Sequence, residues 1–175
     1  MNHLEIKPYI NEIDLHKKVA DIGAQLTKKF KGQNVVAICV LKGSFMFYSD
    51  LIRCIDTDIT CEFFGVSSYH GMTSSGEVKV TLDLTQPIEG KHVILVEDIV
   101  DTGLTMNYLK TTLAARNPAS LTTVALLEKP DALKVPCKLD FVGFKITNEF
   151  VVGYGLDYQG YYRNLPFIGQ VQNFQ

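Results

Sequence analysis

At 175 residues the chain can bury one sizeable core, and its 46% hydrophobic and 21% charged residues are those of an ordinary globular domain, not a disordered or fibrous one. A net charge of −2 argues against a nucleic-acid footprint spread over the surface and leaves room for a local anion site. Cys39, Cys54, Cys61 and Cys137 show no CxxC spacing, and His3, His16, His70 and His92 form no HExxH pattern, so neither a disulfide frame nor a zinc site is expected.

In chain order, residues 1–10 read as irregular. The start also lacks the apolar stretch of a signal peptide, and no apolar run approaches the roughly 18 residues of a membrane span. The expectation is a cytoplasmic protein with no membrane partner. A helix is predicted over 11–30, where Leu15, Val19, Ile22 and Leu26 recur at helical spacing, until Gly32 and Asn34 break it. The apolar run 35–41, rich in β-branched residues and without alternation, reads as a central parallel strand. It leads through Lys42-Gly43-Ser44 into an apolar helix over 45–55. A third strand is predicted over 58–66. The small and polar segment 67–76 reads as a long exposed loop of the kind that often carries function, and an alternating strand follows over 77–83.

Residues 93–106 organise the rest. An apolar run ends in Glu97 and Asp98, and Asp101-Thr102-Gly103-Leu104-Thr105 leads into a helical pattern from 107 to 116. A turn of small and hydroxylated residues at a helix start offers N–H groups and a positive dipole end to an anion. Carboxylates at the same tip can accept from sugar hydroxyls or hold a divalent cation. A further buried strand, 121–127, ends at Glu128-Lys129-Pro130. Strands alternating with helices imply an α/β fold, a doubly wound parallel sheet, in which ligands bind beyond the strand C-termini. Lys42, the 67–76 loop, the Glu97/Asp98 pair and Lys129 all fall at that rim. Beyond 131, two β-like runs, 139–146 and 150–156, have no crossover helix between them and suit a small antiparallel or irregular cap.

Val-Glu97-Asp98-Ile-Val-Asp101-Thr102-Gly103-Leu-Thr105 resembles the phosphoribosyl-pyrophosphate (PRPP) signature of the type I phosphoribosyltransferases. Leu-Lys42-Gly43-Ser, Ser67-Ser68-Tyr69, Leu-Glu-Lys129-Pro, Phe150-Val151-Val-Gly-Tyr-Gly-Leu-Asp157-Tyr and Tyr-Arg163-Asn-Leu-Pro are similar, in matching order, to segments of the hypoxanthine(-guanine) branch of that family. The resemblance implies one domain over 1–175, with a core at about 11–130 and a C-terminal hood at about 131–175 joined by the N-terminal segment.

It implies Mg²⁺-dependent purine salvage, with the phosphoribosyl group passing from PRPP to N9 of hypoxanthine, and of guanine, to give the nucleotide and pyrophosphate. Glu97 and Asp98 would contact the ribose hydroxyls or the metal on them. Residues Asp101, Thr102, Gly103, Leu104 and Thr105 would wrap the 5′-phosphate, and Asp101 would be the proton acceptor beside purine N7. Lys129 would donate to the 6-oxo group, Phe150 stack on the purine and the Val151 backbone read its edge. Asp157 would complete the base side and hold Mg²⁺ on the pyrophosphate, mainly through water. Arg163, Lys42 and Gly43 would contact the pyrophosphate, with a non-proline cis peptide in the Lys42 loop, and Ser68 and Tyr69 would belong to a lid. A homo-oligomer, dimer or tetramer, is implied as well. Two departures stand out. Ser44 stands where some members have a second glycine in the Lys-Gly loop, and Pro130-Asp131-Ala132 follows Lys129 where some eukaryotic members carry basic residues. A PRPP-binding regulator that binds RNA or DNA, and a xanthine-preferring enzyme, are the competing readings.

Overall fold

The computed structural model describes residues 5–68 and 78–172. In chain order the elements are β1 (Ile6–Ile10), α1 (Glu12–Lys29), β2 (Val35–Leu41), α2 (Phe45–Arg53), β3 (Ile59–Ser68), β4 (Val78–Leu82), β5 (His92–Val100), α3 (Leu104–Ala114), β6 (Ser120–Glu128), a 3-10 turn at Pro130–Ala132, β7 (Phe141–Lys145), β8 (Val151–Val152) and β9 (Ile168–Val171).

Six strands form one sheet in the order β4-β3-β2-β5-β6-β7, parallel throughout except for the antiparallel β3–β4 pair. Strand β2 is buried on both faces, which is why its sequence does not alternate. Val35, Ala37 and Cys39 face α1 and α2, while Val36, Ile38 and Val40 share the opposite layer with Met106, Leu109 and Leu113 of α3. Leu15 and Leu26 of α1 are wholly buried, so trimming either to alanine would cost about 2–5 kcal/mol. Asn11 caps α1 by accepting from the Asp14 N–H at 2.9 Å. Acidic residues in the first turn and Lys28 and Lys29 in the last suit the helix dipole.

Three expectations are corrected. Residues 6–10 are not irregular: they form β1, which pairs antiparallel with β9. The run 139–146 is not part of a cap, because β7 joins the main sheet parallel to β6. Its crossover is made by an extended segment whose Leu133, Cys137 and Leu139 pack on the α3 face in place of a helix. Finally, β5 does not end at Glu97 and Asp98 but runs through them to Val100, and α3 begins at Leu104, earlier than the pattern suggested. The second sheet, β1-β9-β8, is not hydrogen-bonded to the first, but its Ile10, Val151 and Ile168 share the core layer of α1 and α2.

Candidate active site

The C-terminal ends of β2, β5 and β6 gather the predicted residues on one rim. At β5, Glu97 is 7% exposed, and its Oε2 is buried with no hydrogen-bond partner among the described residues. Burial pushes its carboxyl well above the ordinary range, and neighbouring Asp98 pushes it further. Burial likewise raises Asp98 to about 6, against the lowering influence of the Ile99 N–H, which donates to its Oδ1 at 2.9 Å, and of Arg163. Two adjacent carboxylates held this way favour the arrival of positive charge.

Past β5 the chain turns at Gly103, whose φ of 80° lies in the left-handed region. A side chain there would also press on the Val135 carbonyl and on Cys137, each about 3.0 Å away. Helix α3 starts immediately after, and a cavity of about 90 Å³ lies at its first turn, where backbone N–H groups have no acceptor within the helix. Glu97, Asp101, Thr102, Gly103 and Thr105 line that cavity. Thr102 is fixed through its carbonyl, which accepts from the Lys134 N–H at 3.0 Å, and its Oγ1 accepts from the Leu104 N–H at 3.4 Å. Leu104 itself is 42% exposed.

At the end of β6, Lys129 is only 9% exposed, and its Nζ lies 3.8 Å from Oδ2 of Asp101. Its backbone is tied to β5 by a 2.9 Å hydrogen bond from its N–H to the Val100 carbonyl. Phe150 meets Tyr158 edge-on, with ring centroids 5.8 Å apart, and Val151 is buried beside it in β8.

The cis peptide is Leu41–Lys42, so Lys42 follows it. Gly43 packs so closely on Asp98 that any side chain there would overlap the carboxylate. Ser44, buried, donates to the Val40 carbonyl at 2.5 Å and starts α2. From the hood, Asp157 Oδ1 pairs with Arg163 Nη2 at 2.6 Å, and its Oδ2 accepts from the Gly160 N–H at 2.6 Å. Arg163 Nη1 also donates to the Gly155 carbonyl at 2.6 Å. Ser68 closes β3, and Tyr69 lies outside the described residues, as does most of the expected lid loop. Sequence reasoning missed Gly155, which abuts the Gly43 carbonyl, and the buried Tyr154 beside it. The Gly-Tyr-Gly triplet was a signal for an unusual turn, but nothing in it showed what the turn touches.

Among the described residues, no three acidic, histidine or cysteine side chains converge as a protein cage for a metal. Mg²⁺ rarely uses one: it keeps several waters and takes one or two carboxylates together with substrate phosphates. The unpartnered Glu97 oxygen and the raised Asp98 carboxyl fit that mode. Arg163 and the Gly160 N–H each hold one oxygen of Asp157, and the carboxylate keeps further lone pairs for a cation or its water.

Comparison with known proteins agrees with this geometry. Residues 11–159 match the phosphoribosyl transferase domain family. The chain is 45% identical over 174 residues to the hypoxanthine phosphoribosyltransferase of Haemophilus influenzae, covering 97% of this chain and 96% of that one. It is 47% identical over 170 residues to the hypoxanthine-guanine phosphoribosyltransferase of Bacillus subtilis, covering 97% and 94%. A crystal structure of a hypoxanthine-guanine phosphoribosyltransferase from Bacillus anthracis, with a HEPES molecule in its active site, superposes with a TM-score of 0.92 at 44% identity, covering 97% of this chain and all of that one. A Trypanosoma cruzi hypoxanthine phosphoribosyl transferase, studied for the role of its C-terminal region in oligomeric state and activity, gives 0.91 at 42%, covering 98% and 93%. With a family match over most of the chain and relatives alike over nearly their whole length, the chain belongs to the phosphoribosyltransferase family.

Proposed function

We infer that the protein is a hypoxanthine-type phosphoribosyltransferase of purine salvage, moving the phosphoribosyl group of PRPP to N9 of hypoxanthine, and of guanine, with release of pyrophosphate. The observation that carries the reading is the pairing of Lys129 with Asp101 across the β5 and β6 ends. It sets a donor for a 6-oxo group next to a carboxylate that belongs to the phosphate turn.

Each part then has a task. The α3 N-terminus, with Thr102 and Thr105, binds the 5′-phosphate. Glu97 and Asp98 accept from the ribose hydroxyls and, with Asp157 through water, hold Mg²⁺, which when bound neutralises charge on the leaving pyrophosphate. Lys42, the Gly43 backbone and Arg163 contact that pyrophosphate. Phe150 stacks on the purine, the Val151 backbone meets its edge, and Lys129 selects the oxo group over an amino group. Asp101, half exposed and within reach of Lys129, takes the purine proton as N9 attacks. Ser68 and Tyr69 serve a lid that excludes water from the oxocarbenium-like centre. The whole chain, 1–175, acts as one domain.

A homo-oligomer, dimer or tetramer, and a cytoplasmic location belong to the same reading. The half-exposed Phe63 of β3 and Leu82 of the edge strand β4 support association, and among the described residues no helix is long and apolar enough to cross a membrane. The RNA- or DNA-binding regulator is disfavoured by the intact Lys129–Asp101 and Arg163–Asp157 pairs.

The test is a base panel. Pure protein with PRPP and Mg²⁺ should form nucleotide from hypoxanthine and guanine, give nothing with adenine, and stop when the metal is chelated. No product from hypoxanthine would end the reading, and a clear preference for xanthine would relocate the base specificity.

A further inference from the structure

Tyr154 is not among the positions assigned to substrate, yet it is buried in a constrained turn. It is 5% exposed and sits at φ 49°, between Gly153 at 99° and Gly155 at 104°. Three successive residues in the left-handed region form a turn that a non-glycine residue adopts only when something holds it. Here the phenol holds it. Its hydroxyl donates to Oδ2 of Asp50 in α2 at 2.5 Å, a short charge-assisted bond across 104 residues of chain. Asp50 is in turn steadied by Arg53 and lies 3.8 Å from His16 of α1.

The two ends of that bond lie one step from the pyrophosphate side of the site. Helix α2 begins directly after Lys42-Gly43-Ser44, and Tyr48 pins it to β2 by donating to the Ala37 carbonyl at 3.1 Å. Gly155, next to Tyr154, lies so close to the Gly43 carbonyl that a side chain there would collide with it. The Gly155 N–H donates to the Arg163 carbonyl at 3.0 Å, and Arg163 returns the contact through Nη1. The chain of contacts therefore runs from Asp50 through Tyr154 and Gly155 to Gly43 and Asp98 on one side, and to Arg163 and Asp157 on the other.

We propose that the Tyr154–Asp50 bond is a positioning device that sets the hood turn against the Lys42-Gly43 loop and so aligns Arg163 and Asp157 for the pyrophosphate of PRPP. The inference rests on the assignment of Arg163 and Gly43 to the pyrophosphate. Of the base contacts, Lys129 and Phe150 are not on the contacts traced above and Asp157 is reached only through its pair with Arg163, so the device acts chiefly on PRPP.

Tyr154→Phe keeps the ring and removes only the hydroxyl. It should raise KM for PRPP, and for pyrophosphate in the reverse reaction, about tenfold, with KM for hypoxanthine changed less than twofold. Asp50→Leu should match it. Asp50→Asn, which keeps an acceptor, should lie closer to the wild type. The double variant Tyr154→Phe/Asp50→Leu should be no worse than either single change. Assays run well below the melting temperature of every variant separate alignment from stability. If Tyr154→Phe does not fold, the split between the Asp50 variants decides the matter alone. A PRPP KM within twofold of wild type, equal shifts for both substrates, or additive effects would overturn the proposal. Arg163→Ala is the control for the assignment beneath it. If that variant leaves PRPP binding intact, the pyrophosphate side is misplaced and both fall. If it weakens PRPP while Tyr154→Phe is neutral, only the positioning role falls.

Discussion

At the scale of single residues, the acidic pair on β5 costs the fold something and serves the site. Asp98 has a carboxyl raised to about 6 in the folded chain, against about 3.9 in an unfolded one. Between those values the native state keeps a proton that the unfolded chain has lost. The group's contribution to stability therefore falls as pH rises through that window, and the full cost is present above it. A shift of that size corresponds to a cost on the order of 2–3 kcal/mol. Asp98→Asn removes it, while an amide oxygen can still accept from the Ile99 N–H. The ligand-free variant should melt a few degrees above wild type at pH 7.5, and the difference should close by about pH 4. Its affinity for PRPP in the presence of Mg²⁺ should fall at least tenfold. A melt at pH 7.5 that is no higher than wild type would show that the carboxylate carries no such cost. A site that destabilises the chain holding it is the usual exchange of stability for function.

At the scale of elements, the sequence read best where local pattern and tertiary role coincide. Strands β2 and β6, helix α1, and the turn before α3 are each announced by residues that are neighbours along the chain. What could not be read depends on distant partners. Strand β1 contains Pro8, which argues against a strand until its place at the open edge of the β1-β9-β8 sheet is known. Strand β7 follows a crossover made without a helix, so the alternation of strand and helix fails where the sheet continues. Tyr154 and Asp50 carry no pattern at all, because only the folded chain makes them neighbours. The turn at Gly103 shows how much one legible residue can decide. Alanine there would meet the left-handed φ, costing about 1–2 kcal/mol, and would press on Val135 and Cys137. Because the same turn aims the α3 N-terminus, Gly103→Ala should lower the melting temperature and raise the PRPP KM at least tenfold, with a smaller change for hypoxanthine. An unaltered PRPP KM would detach the turn from phosphate binding.

At the scale of the whole molecule, the proposed assignment divides the substrates unequally between the two sheets. The cradle for phosphate and ribose, with Lys129, belongs to the six-stranded sheet, while Phe150, Val151, Asp157 and Arg163 ride on or beside the three-stranded one. That smaller sheet is closed by the chain's beginning. Ile6 pairs with Val171 and packs so closely on Gly169 that no side chain fits there, and the Gln172 N–H donates to the Glu5 carbonyl at 2.9 Å. Without β1, strands β8 and β9 would be a two-stranded ribbon, which is marginal on its own in water. Deleting residues 1–9 retains Ile10, a core residue, and the Asn11 cap of α1. The six-stranded sheet should therefore persist, and ribose 5-phosphate, which needs only the core cradle, should bind within about threefold of wild type by calorimetry. Turnover of hypoxanthine should fall at least a hundredfold, and a brief protease digest should cut the truncated protein in the hood before the core. If the truncated chain keeps its turnover, the hood stands without β1. If ribose 5-phosphate binding disappears along with turnover, the two sheets are not separable and the phosphate cradle depends on the hood above it.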